Sequence, residues 1–148
     1  MQMLRKIGFT IVSVTLLSPQ ALSATHCLKY MPAEVTVVGR VYEQTDWGPP
    51  NYGEDPAHDS RERHDYIHLD KPLCVAGSQY SDLNDIPERN VLIMELTWDT
   101  EKKLLANAVG RRVLLRGGLF HGFNGHHHTR VLLMVSHLEL LGRTLSGN

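Results

Sequence analysis

The sequence of 148 residues is long enough for one domain with a single hydrophobic core, and its hydrophobic share of 42% suits a globular protein. Its 15 basic and 16 acidic residues give a formal net charge of −1 at pH 7. This balance argues against a nucleic-acid partner, because nucleic-acid binding is driven by lysine and arginine side chains that neutralise phosphates.

The first 24 residues have the pattern of a cleavable secretory signal. Arg5 and Lys6 precede an uncharged apolar run at residues 7–17, and small residues follow up to Ala24. The run is too short to span a bilayer, which needs about 20 residues. Cleavage after Ser23 or after Ala24 fits the pattern, and removing Arg5 and Lys6 leaves 13 basic against 16 acidic residues. We expect residues 25–148 to form one exported domain, periplasmic or secreted, without a membrane span.

The two cysteines, Cys27 and Cys74, suit an oxidising compartment. An even pair there predicts a structural disulfide, which would stabilise the fold by roughly 4 kcal/mol if it acts on chain entropy. The alternative is a redox or metal-binding thiolate pair. It is less favoured, because neither cysteine lies in a C-x-x-C sequence.

Five apolar runs predict strands, and one segment with helical spacing predicts a short helix. The strands are expected at residues 34–42, 65–75, 90–98, 111–120 and 129–140. Gly39 suggests a bulge in the first run, and Pro72 is expected to end pairing in the second. Residues 99–109 carry a cap, one apolar face and Gly110 as a stop, which predicts the helix.

The order strand, strand, strand, helix, strand, strand predicts the fold class. It is that of an all-β protein with one short helix, a five-stranded Greek-key barrel of the OB type. A small β-sandwich and an SH3-like barrel are the competing architectures. The position of the single helix favours the OB-type barrel.

Residues 118–135 concentrate four of the nine histidines, His121, His126, His127 and His128, in the last predicted hairpin. A two-residue turn at Asn124 and Gly125 would set core positions against solvent positions. A three-residue loop at 123–125, with Gly125 at positive φ, pairs core with core and is therefore predicted. In this register His121 lies opposite His127 on the core-facing side, while His126 and His128 share the other face.

Directly opposed His121 and His127 would have Cβ atoms about 5 Å apart and could share one metal ion. Zinc sites need three or four protein ligands, so a third would have to come from the first loop. That loop holds the candidates Asp55, His58, Asp59 and His64. The alternative, which we favour, is a polar or stacking collar of histidines at the barrel rim.

The first loop, residues 43–64, is long, rich in proline and glycine, and carries Trp47 and Tyr52. Loops of this length in compact domains are usually functional or disordered. In OB folds this loop and the last hairpin flank the usual ligand face. The two aromatics are therefore candidate anchors for a protein or glycan partner. Packing of Trp47 under its own loop is the alternative.

Catalytic motifs are absent from the sequence. It has no nucleophile elbow, P-loop or dinucleotide fingerprint, and Asp65 and Asp70 fit strand ends better than an acid–base pair. We therefore expect a non-enzymatic protein. The candidate binding residues are Trp47, Tyr52, Phe123, His121, His126, His127 and His128.

Several stretches together resemble a family of small secreted Gram-negative bacterial domains of unknown function. They are Cys27, Gly39, residues 66–75, Leu96, residues 110–113, residues 117–120 and residues 126–133. The most specific parts are the L-D-x-P-x-C-V and G-x-L-F…H-H-x-T-x-V-L-L sequences. The resemblance implies a periplasmic or exported setting and pairing of Cys27 with Cys74, and it implies no activity.

The function expected from these features is that of a periplasmic binding module. Its partner would be another exported protein or a cell-envelope component, which includes the roles of an inhibitor or immunity-type protein. The alternative is a zinc- or copper-binding protein that uses the histidine hairpin. Cleavage after Ser23 would also leave Ala24, Thr25 and His26 as a square-planar copper or nickel site, and cleavage after Ala24 would abolish it.

Overall fold

A computed structural model describes residues 26–77, 86–98 and 107–142. Six strands lie in these ranges: β1 (Leu28–Lys29), β2 (Glu34–Trp47), β3 (Arg61–Ala76), β4 (Glu88–Trp98), β5 (Arg112–His121) and β6 (Val131–Leu140). The predicted helix at 99–109 falls largely outside the described residues, and its last three residues form a turn. Within the described ranges no helix is long and apolar enough to cross a membrane.

Strands β2 to β6 close into a barrel. They are hydrogen-bonded in the order β3-β2-β5-β6-β4, and a further pairing of β3 with β4 joins the two ends. All contacts around this ring are antiparallel except β4 with β6, which is parallel. This strand order is that of an OB-type Greek-key barrel, so the predicted fold class is confirmed.

The barrel interior is filled by alternate residues of its strands, because successive side chains of a strand point to opposite faces. In β5 the core residues are Val113, Leu115 and Leu119, and in β6 they are Val131, Leu133 and Val135. This alternation was predicted from the sequence, and it is confirmed.

Strand β2 is shared between two partners, and Gly39 lies where they meet. This residue pairs with Leu69 of β3 and with Val113 of β5. A Cβ atom at Gly39 would overlap the backbone carbonyl oxygen of His68. The ladder with β3 ends at Gly39, the ladder with β5 continues to Arg40, and neither has a register shift, so the predicted bulge is wrong. The glycine instead permits close approach of two backbones.

The N-terminal end of the described chain is tied to β3. Cys27 and Cys74 form a disulfide with a Cα–Cα distance of 4.6 Å, which confirms the predicted pairing. Next to it, β1 pairs in parallel with the end of β3, with Leu28 opposite Val75.

The predicted register of the last hairpin is wrong by four residues next to the loop and by five beyond a register shift between Arg116 and Gly117. Leu119 pairs with Leu133 and His121 pairs with Val131, so the loop spans 122–130. Gly125 is not among the glycines of positive φ. Because the shift next to the loop is an even number of residues, Leu119, Val131 and Leu133 keep their predicted core face. His127, predicted to face the core, instead packs against Phe120 on the outer face.

The predicted first loop is too long. Strands β2 and β3 remain paired out to Trp47 and Arg61, so the loop spans 48–60. Apart from Trp47, the residues of the extra pairs are polar, and an exposed ion pair joins Glu43 and Arg63. Such pairs lack the apolar alternation from which strands are predicted. At Pro72 the expected interruption occurs, although pairing with β4 resumes at Leu73.

The close approach of two backbones at Gly39 generates a prediction. Gly39→Ala should lower the free energy of unfolding by about 3 kcal/mol or more, because the new methyl group meets backbone rather than a flexible side chain. Urea denaturation of both proteins measures the difference. Gly142→Ala is the matched control, since a Cβ there meets nothing within 4 Å. Equal losses for the two variants would contradict this account of Gly39.

Candidate functional site

A row of outward-facing residues runs around the barrel, and part of it is buried. Cross-strand pairing places Tyr42, Tyr66, Glu95, Leu132 and Phe120 in sequence on neighbouring strands. Their chain neighbours, such as Met94 and Leu96, fill the core. Yet Tyr66, Glu95 and Leu132 are themselves buried. This face of β3, β4 and β6 is therefore covered, and the cover is the 122–130 loop.

Glu95 holds that loop against the sheet. Its side chain is buried, with only 3% of the residue exposed. Oε1 lies 3.0 Å from Nδ1 of His64, and Oε2 accepts a hydrogen bond of 2.7 Å from the backbone N–H of His128. The backbone N–H of Glu95 donates to Oγ1 of Thr129 at 3.0 Å. Because residues 128 and 129 are bound to β4, they cannot pair with β5 as the predicted register required.

Around Glu95 lie further titratable side chains. The rings of His64 and His128 meet edge to face, with centroids 4.6 Å apart. Tyr66 donates its hydroxyl to Oδ2 of Asp46 at 2.6 Å. Partial burial alone would raise the pKa of Asp46, but hydrogen bonds from Tyr66 and Gln44 outweigh it and lower that pKa. Burial and the same hydrogen bond raise the pKa of Tyr66.

The two loops that flank this face touch each other. The hydroxyl oxygen of Tyr52 lies 2.6 Å from Nε2 of His126, and the two rings meet edge to face at 4.8 Å. The 48–60 loop is itself held by Asp59, whose carboxylate accepts hydrogen bonds from the backbone N–H groups of Asn51, Gly53 and Asp55. The loops thus form one joined surface.

His127 packs between two phenylalanine rings. Its centroid lies 5.5 Å from that of Phe120 and 4.6 Å from that of Phe123, both in edge-to-face geometry. Its Nδ1 accepts a 3.1 Å hydrogen bond from the backbone N–H of Phe123. Burial lowers the pKa of His127. We call Tyr52, Phe123, His126 and His127 the rim.

His121 belongs to a second network, on the inner side of the barrel. Its Nε2 lies 3.3 Å from Oε1 of Glu88, and its Nδ1 lies 2.9 Å from the carbonyl oxygen of Gly122. Glu88 is also buried, and its Oε2 lies 3.2 Å from a guanidinium nitrogen of Arg130. Burial and the Glu88 carboxylate raise the pKa of nearby Tyr30 to about 12.

The structure separates residues that the sequence grouped as metal ligands. His121 contacts Glu88, whereas His127 contacts the two phenylalanines, so the pair predicted to share an ion does not face one another. His26 is exposed at the start of the described chain. Across the described ranges, no three His, Cys, Asp or Glu side chains stand grouped to hold a metal ion.

Of the two predicted aromatic anchors, only Tyr52 reaches the hairpin. The guanidinium carbon of Arg61 lies 3.9 Å from the centroid of the Trp47 ring. The same ring packs against Gly53 of its own loop. This is the packing that the alternative interpretation of Trp47 expects.

Sequence reasoning missed the two buried carboxylates, Glu88 and Glu95. A signal for Glu95 was present, since it is a single charge within the apolar run at 90–98. Charged residues are rarely buried unless they are paired, so such a residue marks a position covered by polar partners.

Part of the chain matches a known protein family. Residues 92–139, about a third of the chain, match a family described as a domain of unknown function (DUF4431). The matched segment contains Glu95 and the whole histidine hairpin. Neither the curated proteins nor the solved structures include a match to this chain.

The two polar contacts of the Glu95 carboxylate can be tested by replacing this residue with glutamine. Glu95→Gln should destabilise the protein by about 1.5–3 kcal/mol, because an amide has one accepting oxygen whereas two donors face the native carboxylate. Chemical denaturation measures the loss. Glu139→Gln, on an exposed position of β6, is the control and should change stability little. An unchanged Glu95→Gln protein would show that the two hydrogen bonds do not hold the loop.

The packing of His127 predicts a pH effect. Its lowered pKa means that the unfolded chain takes up the proton more readily than the folded one. The stability contributed by the neutral ring is therefore lost as the pH falls through the folded pKa. Phe123→Ala should raise the pKa of His127 towards its ordinary value by exposing the ring to water. NMR titration of the imidazole protons measures this, with Val109→Ala as the distant control, and an unchanged pKa would contradict it.

Proposed function

We propose that this protein is an exported, periplasmic binding module that recognises another exported protein or a cell-envelope component through its rim. One observation carries the proposal: the contact between Tyr52 and His126 joins the two loops that flank the ligand face of OB-type barrels. Phe123 stands in the same surface with 56% of its area exposed. Exposed aromatic side chains in a polar surface are typical anchors of protein interfaces.

The rim is held in place before any partner arrives. Asp59 fixes the backbone of the first loop, and Glu95 fixes the hairpin from beneath. A surface ordered in advance loses less conformational entropy on binding, so more of the contact energy appears as affinity. The geometry therefore favours recognition by a largely preformed surface.

The histidines of the rim support a binding role rather than catalysis. His126 and His127 contact aromatic rings edge to face, and the N–H of Phe123 already donates to Nδ1 of His127. Such rings present apolar edges together with polar atoms, as Tyr and Trp do at interfaces. An inhibitor or immunity-type protein needs such a surface and no catalytic group.

The compartment is proposed from two features of the sequence and fold. Arg5, Lys6 and the apolar run at 7–17 support export through a cleaved signal. The disulfide between Cys27 and Cys74 supports an oxidising compartment. The resemblance to small secreted domains agrees with a Gram-negative periplasm.

The proposal is tested by crosslinking in intact cells. A photoreactive phenylalanine analogue placed at Phe123 should give a discrete crosslinked species on irradiation. The same analogue at Val109, which is 42% exposed at the opposite end of β5, should give none. Tyr52→Ala should weaken the crosslink from position 123 by loosening the joined loops. Equal crosslinking from positions 123 and 109, or none from either, would refute recognition by the rim.

A further inference from the structure

The tip of the 122–130 loop holds Asn124 and Gly125, the only Asn-Gly pair in the sequence. Both residues are exposed. Asparagine deamidates when the backbone nitrogen of the next residue attacks its side-chain carbonyl carbon, and a following glycine leaves that nitrogen free of steric cover. In a folded protein the reaction also depends on how the two residues are held.

The side-chain amide of Asn124 is polarised by its own loop. Its Oδ1 accepts a 3.0 Å hydrogen bond from the backbone N–H of His126. A donor at this oxygen stabilises the negative charge that develops there when a nucleophile attacks Cγ. The backbone carbonyl oxygen of Asn124 accepts a 3.1 Å hydrogen bond from the N–H of His127. Together the two bonds fold the Asn124 side chain back over the peptide group that follows it.

The backbone nitrogen of Gly125 is placed to act as the nucleophile. Among the described residues its N–H has no hydrogen-bond acceptor. The Cα of Gly125 lies against the ring of Tyr52, where an added Cβ would stand 2.9 Å from Cδ2. Tyr52 is in turn bonded to His126, so the turn is held in place while Gly125 stays exposed to water.

We propose that Asn124 is a site of spontaneous deamidation, promoted by the folded tip of the 122–130 loop. The Gly125 nitrogen gives up its proton to water and forms a bond to Cγ of Asn124. The side-chain nitrogen takes up a proton and leaves as ammonia, which closes a succinimide ring. Water then opens the ring at either carbonyl and yields aspartate or isoaspartate at position 124. Water is the only co-reactant.

The two products change the rim in different ways. Aspartate keeps an oxygen for the N–H of His126 but places a negative charge near His127. Isoaspartate adds a carbon to the main chain before Gly125, which disrupts the turn and should loosen the contact between Tyr52 and His126. The reaction itself is independent of the proposed recognition by the rim, whereas its effect on a partner rests on that proposal.

Incubation of the native full chain at mildly alkaline pH, followed by peptide mapping with mass spectrometry, tests the site. Alkaline solution speeds the reaction because the attacking nitrogen must lose its proton. Asn51 is the matched control, since it is an exposed asparagine in the neighbouring loop but precedes Tyr52. We expect Asn124 to convert about tenfold faster than Asn51, because only Asn124 has both the glycine and the donor at Oδ1.

A second arm measures what the fold contributes. In urea, Asn124 should convert no faster than in the native protein, because the donor from His126 is lost on unfolding. Gly125→Ala should slow the native reaction by shielding the nitrogen, and its added Cβ meets the ring of Tyr52 rather than backbone. Equal conversion of Asn124 and Asn51 in the native protein would overturn the proposal. Faster conversion of Asn124 in urea would overturn it as well.

NMR titration checks the consequence for the rim. Asn124→Asp should raise the pKa of His127, because the new carboxylate favours the charged imidazole, whereas Asn51→Asp should leave that pKa unchanged. The same pKa of His127 in Asn124→Asp and the native protein would contradict this effect. A missing crosslink from position 123 in freshly prepared protein would refute recognition by the rim but would not affect the conversion of Asn124, so the two failures can be told apart.

Discussion

The outer face of this barrel depends on a carboxylate buried in β4. Glu95 sits between two core residues of the strand but points outward, where an uncovered charge would simply be solvated. It is buried because the hairpin folds over it, and the hairpin stays there because Glu95 accepts from its backbone. Each condition requires the other, since a buried carboxylate without donors would be unstable. The positions of His64, His128 and the rim above them follow from this mutual arrangement.

Strand β4 carries a second buried carboxylate, Glu88, on its other face. Glu88 is buried on the inner side and is bound by His121, which precedes the 122–130 loop, and by Arg130, the last residue of that loop. The loop is thus attached to one strand by two carboxylates, one on each face of the sheet. A loop with this many polar anchors behaves as a fixed part of the domain rather than as a mobile connection. Of the four hairpin histidines, His121 contacts Glu88 with its ring, whereas Glu95 binds His128 through its backbone N–H.

Periodicity made the barrel predictable and left its loops unpredictable. The faces of β5 and β6 follow from alternation, and the disulfide follows from an even pair of cysteines in a sequence with the pattern of an export signal. The hairpin register could not be derived, because a turn rule considers only the two strands that the turn connects. The decisive bonds run to Glu95, more than thirty positions away. Pairing of Tyr52 with His126 is equally non-local, although OB-type topology correctly placed their loops on one side.

The disulfide determines which parts of the chain stay joined after proteolytic cleavage. Cys27 precedes β2 and Cys74 lies within β3, so the covalent ring that they close includes the whole 48–60 loop. A single cleavage in that loop would leave both fragments linked through sulfur and paired along β2 and β3. A cleavage at 122–130 would detach β6 from the covalent chain. Cleavage of the exposed 48–60 loop would therefore separate less of the chain than cleavage of the 122–130 loop, which is held by Glu95 and Glu88 and not enclosed by the disulfide.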